Sequence, residues 1–194
     1  MAKRGPYRKG EVKRAEILEA ALDIFATEGY RGTSLRKVAA RCDLSLPGLM
    51  HYFDSKEDLL TEVLRARDET ERTRHPDYRV PEDPVDTMRT GARTPGLVEL
   101  FVSLAASAGD PGHPAHEFFP ERYEALRAAV TRYVRSALDA GRLATDIPAE
   151  RLAVVLLAVA DGVQLQWLAD RSVDMPQALT DALRLLDAGT APNN

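Results

Sequence analysis

The chain has 194 residues, 44% of them apolar, which fits one medium domain or two small ones and is enough for a real core in a soluble globular protein. Its one cysteine, Cys42, excludes an internal disulfide and reads as a small buried residue. The net charge of −4 would argue against a polyanion partner, but residues 1–53 hold ten Lys+Arg against six Asp+Glu, while the remainder holds 16 against 24. That asymmetry suggests a polyanion-binding head on an acidic body. The start MAKRGPYRKG is basic without an apolar h-region, and no uninterrupted apolar stretch of about 18 residues is present. Neither secretion nor a membrane location is therefore expected, and the cytoplasm is the default.

Residues 1 to about 10, with Gly5, Pro6 and Gly10 among Lys3, Arg4, Arg8 and Lys9, are expected to form a flexible basic arm. Such an arm either solubilises the chain or lies along DNA, where each cation near a phosphate releases counterions. Lys13 and Arg14 extend the same basic cluster, opposed only by Glu11. From Glu11 to Glu28, Ile17, Ala20, Ala21, Ile24 and Phe25 recur at helical spacing, and Gly29 is a plausible stop.

The stretch Thr33 to Lys56, TSLRKVAARCDLSLPGLMHYFDSK, holds two short amphipathic segments separated by a polar break. Thr33 or Ser34 can cap the first, and Leu35, Val38, Ala39 and Cys42 give it one apolar face. Ser45 can cap the second, Pro47 falls in its first turn, and Leu49 and Phe53 lie four apart on its buried side. With the preceding helix as a third wall, this is the layout of a helix-turn-helix. Ser55 then caps a further helix from Lys56 to about Thr70, whose free N–H groups and Lys56 form a natural phosphate seat.

Residues 11–60 resemble the N-terminal DNA-binding region of the TetR/AcrR family of transcriptional regulators. The similarity is carried by ILEAALDIFATEGYRGTSLRKVAARCDLS followed by GLMHYFDSKEDLL. The combination of Gly48-Leu49, His51-Tyr52-Phe53 and Ser55-Lys56-Glu57 after a helix-turn-helix pattern is specific, whereas a lone HYF or SKE would be weak. One departure is Met50, where the family often has Tyr, so a phosphate contact through that hydroxyl is lost.

The rest of the chain reads as helices. Residues 71–83 are rich in Pro and charge and are expected to be a loop. A short helix follows from Pro84 to about Gly91. Another starts at Thr94-Pro95-Gly96, with Leu97, Leu100, Phe101 and Leu104 buried, and runs to Gly109. A long helix runs from the His113–His116 segment to about Ala140. The two histidines lie three apart beside Glu117, but no second ligand cluster completes a metal site, and capping or packing roles are expected. The next helix, from Pro148 or Ala149 to about Ala169, is apolar nearly all round, which calls for burial on more than one side. A last helix begins at Asp174 or Met175 and stops before Gly189.

The expected fold is all-α, with about nine helices: a three-helix DNA-binding head over residues 1–54 and a helical effector-binding and dimerisation body over 55–194. The resemblance implies a ligand-responsive transcriptional regulator, expected to be a repressor, that binds a palindromic operator as a homodimer and is released by a small apolar or aromatic effector. Expected DNA contacts are Lys3, Arg4, Arg8, Lys9, Ser34, Arg36, Ser45, Leu46, Pro47, Gly48, Met50, Tyr52 and Lys56. Leu46 and Pro47 would touch thymine methyl groups and Gly48 would admit close approach, while Ser34, Arg36, Tyr52 and Lys56 would hold phosphates. Base readout through Arg, Asn or Gln is sparse, so DNA shape and apolar contacts should carry much of the preference.

Candidate effector contacts are Met88, Phe101, Leu104, Phe119, Tyr123, Gln164 and Trp167. The expected dimer surface uses Leu152, Val155, Val159, Gly162, Val163, Leu179 and Leu183. No cofactor or metal is implied. An enzyme is the remote alternative, since no phosphate loop, metal-spaced Cys/His set or nucleophile elbow is present. A transcriptional activator or a ligand-independent regulator is the nearer one.

Overall fold

The computed structural model describes residues 6–29, 34–74 and 84–188. Within them lie nine helices and no strand: α1 (Pro6–Glu28), α2 (Leu35–Arg41), α3 (Leu46–Met50), α4 (Lys56–Arg74), α5 (Pro84–Ala92), α6 (Pro95–Ser107), α7 (Ala115–Asp139), α8 (Ala149–Ala169) and α9 (Met175–Ala188).

Two boundaries differ from the sequence expectation. The arm expected over residues 1–10 is already helical from Pro6, because proline's fixed φ suits a first helical position; residues 1–5 lie outside the described set. Toward the other end of the head, α4 continues to Arg74, so the start of the loop expected over 71–83 is helical, and 75–83 lie outside the described residues.

Contacts divide the chain into two compact units, 1–71 with 94–118, and 72–93 with 119–194. The first unit takes in most of α4, and also α6, which packs on α1. In this unit α1 also packs on α2, and α2 on α3. Its core is drawn from Ile17, Ala21 and Phe25 of α1, Val38 of α2, Leu49 of α3, Leu59 and Val63 of α4, and Leu100 of α6, all buried.

The α1–α6 crossing is unusually close. A Cβ added at Gly96 would stand 2.0 Å from the Phe25 carbonyl oxygen and 2.5 Å from the Gly29 Cα. Both obstacles are backbone, so no rotamer change relieves them. Gly29 ends α1 with φ of 82° and its N–H donates to Phe25 O at 3.1 Å, so one glycine turns the chain where the other lets α6 come near.

The second unit packs α9 against both α5 and α8. Leu152, Ala153, Leu156 and Ala160 of α8, and Met175 and Leu179 of α9, are buried. By length and composition α8, at a mean hydropathy of 1.7, is apolar enough to cross a membrane, although charges such as Asp161 interrupt its apolar run.

Gly96→Ala should destabilise the chain by about 1–3 kcal/mol or more, the range for overpacking. Denaturant unfolding checks this; unchanged stability would mean that α1 and α6 do not cross at Gly96.

Candidate nucleic-acid interface

The helix-turn-helix is assembled by local caps. Ser34 caps α2, its Oγ accepting from Lys37 N at 3.3 Å, and Val38 and Ala39 face the core. Asp43, at φ 55°, turns the chain out of α2. Ser45 then caps α3, its Oγ accepting from Gly48 N at 3.2 Å, with Pro47 in the first turn. Leu49, fully buried, is the anchor on the inner side of α3.

With Leu49 inward, the remaining residues of the second segment face outward to varying degrees. Ser45, Pro47 and His51 are exposed, and Leu46, Gly48, Met50 and Tyr52 are half-buried. His51 and Tyr52 meet edge to face, ring centroids 6.2 Å apart. An added Cβ at Gly48 would meet Ser45 Oγ at 3.2 Å and the Leu44 side chain. The missing side chain there thus makes room for the cap, rather than only for DNA.

The entry to α4 is held by a reciprocal pair: Ser55 Oγ accepts from Asp58 N at 2.9 Å, and Asp58 Oδ2 accepts from Asp54 N at 3.0 Å. Lys56, in the first turn, is exposed, as are Ser34 and Arg36 on the first motif segment. Of the expected arm contacts, Lys3 and Arg4 lie outside the described residues, Arg8 falls in the first turns of α1, and Lys9 is exposed there.

Lys13 and Arg14, which the sequence groups with the arm, serve the fold. Lys13 Nζ donates to Cys42 O at 2.7 Å, capping the C-terminal end of α2, and pairs with Glu16 at 2.8 Å. That pairing raises the Lys13 pKa. Arg14 pairs with Glu62 of α4 at 2.7 Å and lies over the Phe53 ring, 5.1 Å from its centroid. Glu62 also holds Arg65 at 3.1 Å. Lys37 is tied to Glu28. Cys42 is buried and free, and burial raises its thiol pKa.

The expected effector contacts are split between the two units. Phe101 and Leu104, both buried, belong to the first; Met88, Phe119, Tyr123, Gln164 and Trp167 belong to the second. In the second unit the Phe119 and Tyr123 rings lie 6.0 Å apart, and Tyr123 Oη donates to Asp161 Oδ2 at 2.7 Å. Burial, followed by this bond, holds the Tyr123 pKa far above the ordinary phenol value. Burial also raises the Asp161 carboxyl, against the lowering effects of the Tyr123 bond and Arg122. Asp161 was missed by the sequence reading; the signal was a lone carboxylate in the middle of an apolar helix. Gln164 turns its amide back to Ala160 O at 3.2 Å, and Arg171 stacks 3.8 Å over the Trp167 ring.

The two histidines do local work: His113 Nδ1 accepts from Ala115 N at 3.1 Å, and His116 Nδ1 lies 2.8 Å from Ala108 O. Among the described residues no His/Cys/Asp/Glu group could hold a metal ion.

The residues expected at the dimer surface differ in exposure. Leu152, Val163 and Leu179 are buried within the chain itself, so they offer a partner almost no surface. Leu183 lines a cleft with Val85 and Arg89 of α5. Val155 is exposed as expected, and Val154 and Leu165, absent from the expectation, are 53% and 58% exposed. Val159 and Gly162 are half-buried, and open space surrounds the position of a Gly162 Cβ.

Residues 17–63 match the family described as bacterial regulatory proteins, tetR family, and residues 86–190 match the BetI-type transcriptional repressor C-terminal family. The HTH-type transcriptional repressor AcnR of Corynebacterium efficiens is 33% identical over 155 residues, 77% of this chain and 78% of that protein. Several curated relatives align through the head alone: the regulator RutR of Escherichia coli is 43% identical over 58 residues, so the chain spans about a quarter of its length, 27%. Among solved structures, a TetR transcription regulator from Haloarcula marismortui has a TM-score of 0.71 at 19% identity, covering 92% of this chain and 98% of that one. A transcriptional regulator from Saccharomonospora viridis, solved in complex with choline, has a TM-score of 0.68 at 23% identity, covering 90% and 96%. A head match and a body match in the expected order, together with a relative aligned through both, make this chain a member of the TetR family of bacterial transcriptional regulators.

Proposed function

We propose that the chain is a transcriptional repressor that binds an inverted-repeat operator as a homodimer and leaves it when a small organic effector occupies the body. The observation that carries this reading is the intact motif, in which Leu49 is buried while Pro47, Met50 and Tyr52 retain surface on the same short helix and its exit. One such helix reads too few base pairs for useful specificity, so two copies related by symmetry must engage two half-sites.

The chain's own candidate for the pairing surface is the outer face of α8. Val154, Val155, Ala158 and Leu165 recur there at helical spacing and are exposed, and nothing crowds Gly162 beside them. Contiguous exposed apolar surface marks an interaction site. In the body, Phe119, Tyr123 and Asp161 combine aromatic surface with a desolvated carboxylate. That combination suits an effector with an apolar part and one polar end. A carboxylate whose charge is disfavoured by burial is retained at a cost to stability, which is what a binding role explains.

Three outcomes follow. Lys56→Ala should weaken binding to operator and random duplex alike and reduce the log–log salt slope by about 1, as a phosphate contact does. Filter binding across a salt series checks this, and an unchanged slope removes Lys56 from the interface. Val155→Glu should yield monomers in sedimentation experiments, and a dimer that persists at micromolar concentration moves the pairing surface elsewhere.

Asp161→Asn, which preserves an acceptor for Tyr123, should raise the melting temperature. The native carboxyl binds its proton more tightly than the unfolded one, so native stability relative to the variant falls as pH rises from the ordinary carboxylate pKa through the raised native value. A melting-temperature difference independent of pH would show that Asp161 is not held above its ordinary value.

A further inference from the structure

The second unit holds a cleft of about 390 Å³ formed by α5, the C-terminal end of α7 with the turn that follows it, and α9. Its size is at the lower end for small-molecule sites, which limits an occupant to modest dimensions. Val85 and Leu143 are buried in its wall, and Leu183 and the Tyr133 ring add half-buried apolar surface. Around this apolar floor stand Arg89, Arg142 and Arg184, all exposed and contributed by three different segments.

Among the described residues, two of the three guanidiniums have only short-range partners. Arg89 pairs with Asp86 one turn back on α5, and Arg184 with Asp181 one turn back on α9, at 3.3 Å. Both are exposed i,i+3 pairs, a class that contributes little to stability and exchanges readily for a better acceptor. A guanidinium carries five N–H donors, so a single carboxylate partner leaves each with donors to spare. Arg142 is fixed at its base, where its backbone N–H donates to Ala137 O at 2.8 Å. Among the described residues, three cations against the two paired carboxylates Asp86 and Asp181 leave the cleft with a surplus positive charge beside an apolar floor.

From this geometry we infer that the cleft binds an amphipathic organic anion, a single carboxylate or phosphate monoester head on a short apolar body. The head takes the guanidinium donors, in the bidentate fashion that arginine offers to planar acceptors, and the body lies on Val85, Leu143 and Leu183. This site uses none of the residues assigned to DNA, pairing or effector above, apart from Leu183, which is half-buried in its lining.

The test is isothermal titration of the full chain, without DNA, with octanoate, octyl phosphate, octanol, octylamine and inorganic phosphate. Octanoate or octyl phosphate should bind saturably at one per chain, and the tighter of the two identifies the head group. Octanol, octylamine and inorganic phosphate should each bind at least tenfold more weakly. The double variant Arg142→Ala/Arg184→Ala should lose at least tenfold in affinity, while Arg151→Ala, an exposed arginine of α8, should not. Because the three positions are exposed, circular dichroism should show all variants folded; if the double variant is not, Arg142→Ala alone is scored by the same criterion. Absence of binding by both anions, equal binding of octanol or octylamine, or full affinity in the arginine variant would overturn the assignment.

Discussion

A helix of five residues cannot hold its own shape in water, because nucleation costs more than so few hydrogen bonds return. The segment Leu46–Met50, which carries the proposed reading surface, is such a helix. What keeps it formed is one side chain: Leu49 is fully buried, and burying a leucine contributes about 1.5–3 kcal/mol. The Ser45 cap and Pro47 lower the cost of the first turn, but neither fixes which way the helix points. Leu49 does, and by pointing inward it decides that Pro47, Met50 and Tyr52 look out.

The surroundings of that anchor are stiffened by interactions distant in sequence. Lys13 of α1 closes the open carbonyl end of α2, and Arg14 of the same helix reaches Glu62 of α4 while covering Phe53. Two adjacent residues thus join α1 to the first motif helix and to the helix that follows the second. On the other side of α1 the approach of α6 at Gly96 leaves no space for a methyl group. The motif is therefore held by a frame of close contacts, consistent with the general need to place recognition residues on rigid elements.

Much of this was legible because its causes are local. Ser34, Ser45, Ser55 and Asp174 each stand where a cap must stand, and each accepts from the backbone N–H three residues on. The buried set in the head followed from apolar spacing on short amphipathic helices. What escaped was set by partners far along the chain. Lys13 and Arg14 looked like part of a basic arm because nothing in their neighbourhood names Cys42 or Glu62 as partners. On α8 nearly every position is apolar, so periodicity could not separate the inward Leu152 and Val163 from the outward Val154 and Leu165. The basic cleft was invisible for a related reason: Arg89, Arg142 and Arg184 are ordinary surface residues until α5, α7 and α9 meet.

The account rests on two motif helices acting together on one duplex. Its most direct test is selection of bound sequences from a random duplex library by the full chain, followed by measurement of protein copies per selected duplex. The expected result is enrichment of inverted repeats with half-site centres about one helical turn apart, or a multiple of it, each bound by an even number of chains. Enrichment of single half-sites occupied by one chain, or no enrichment over random duplex, would contradict it.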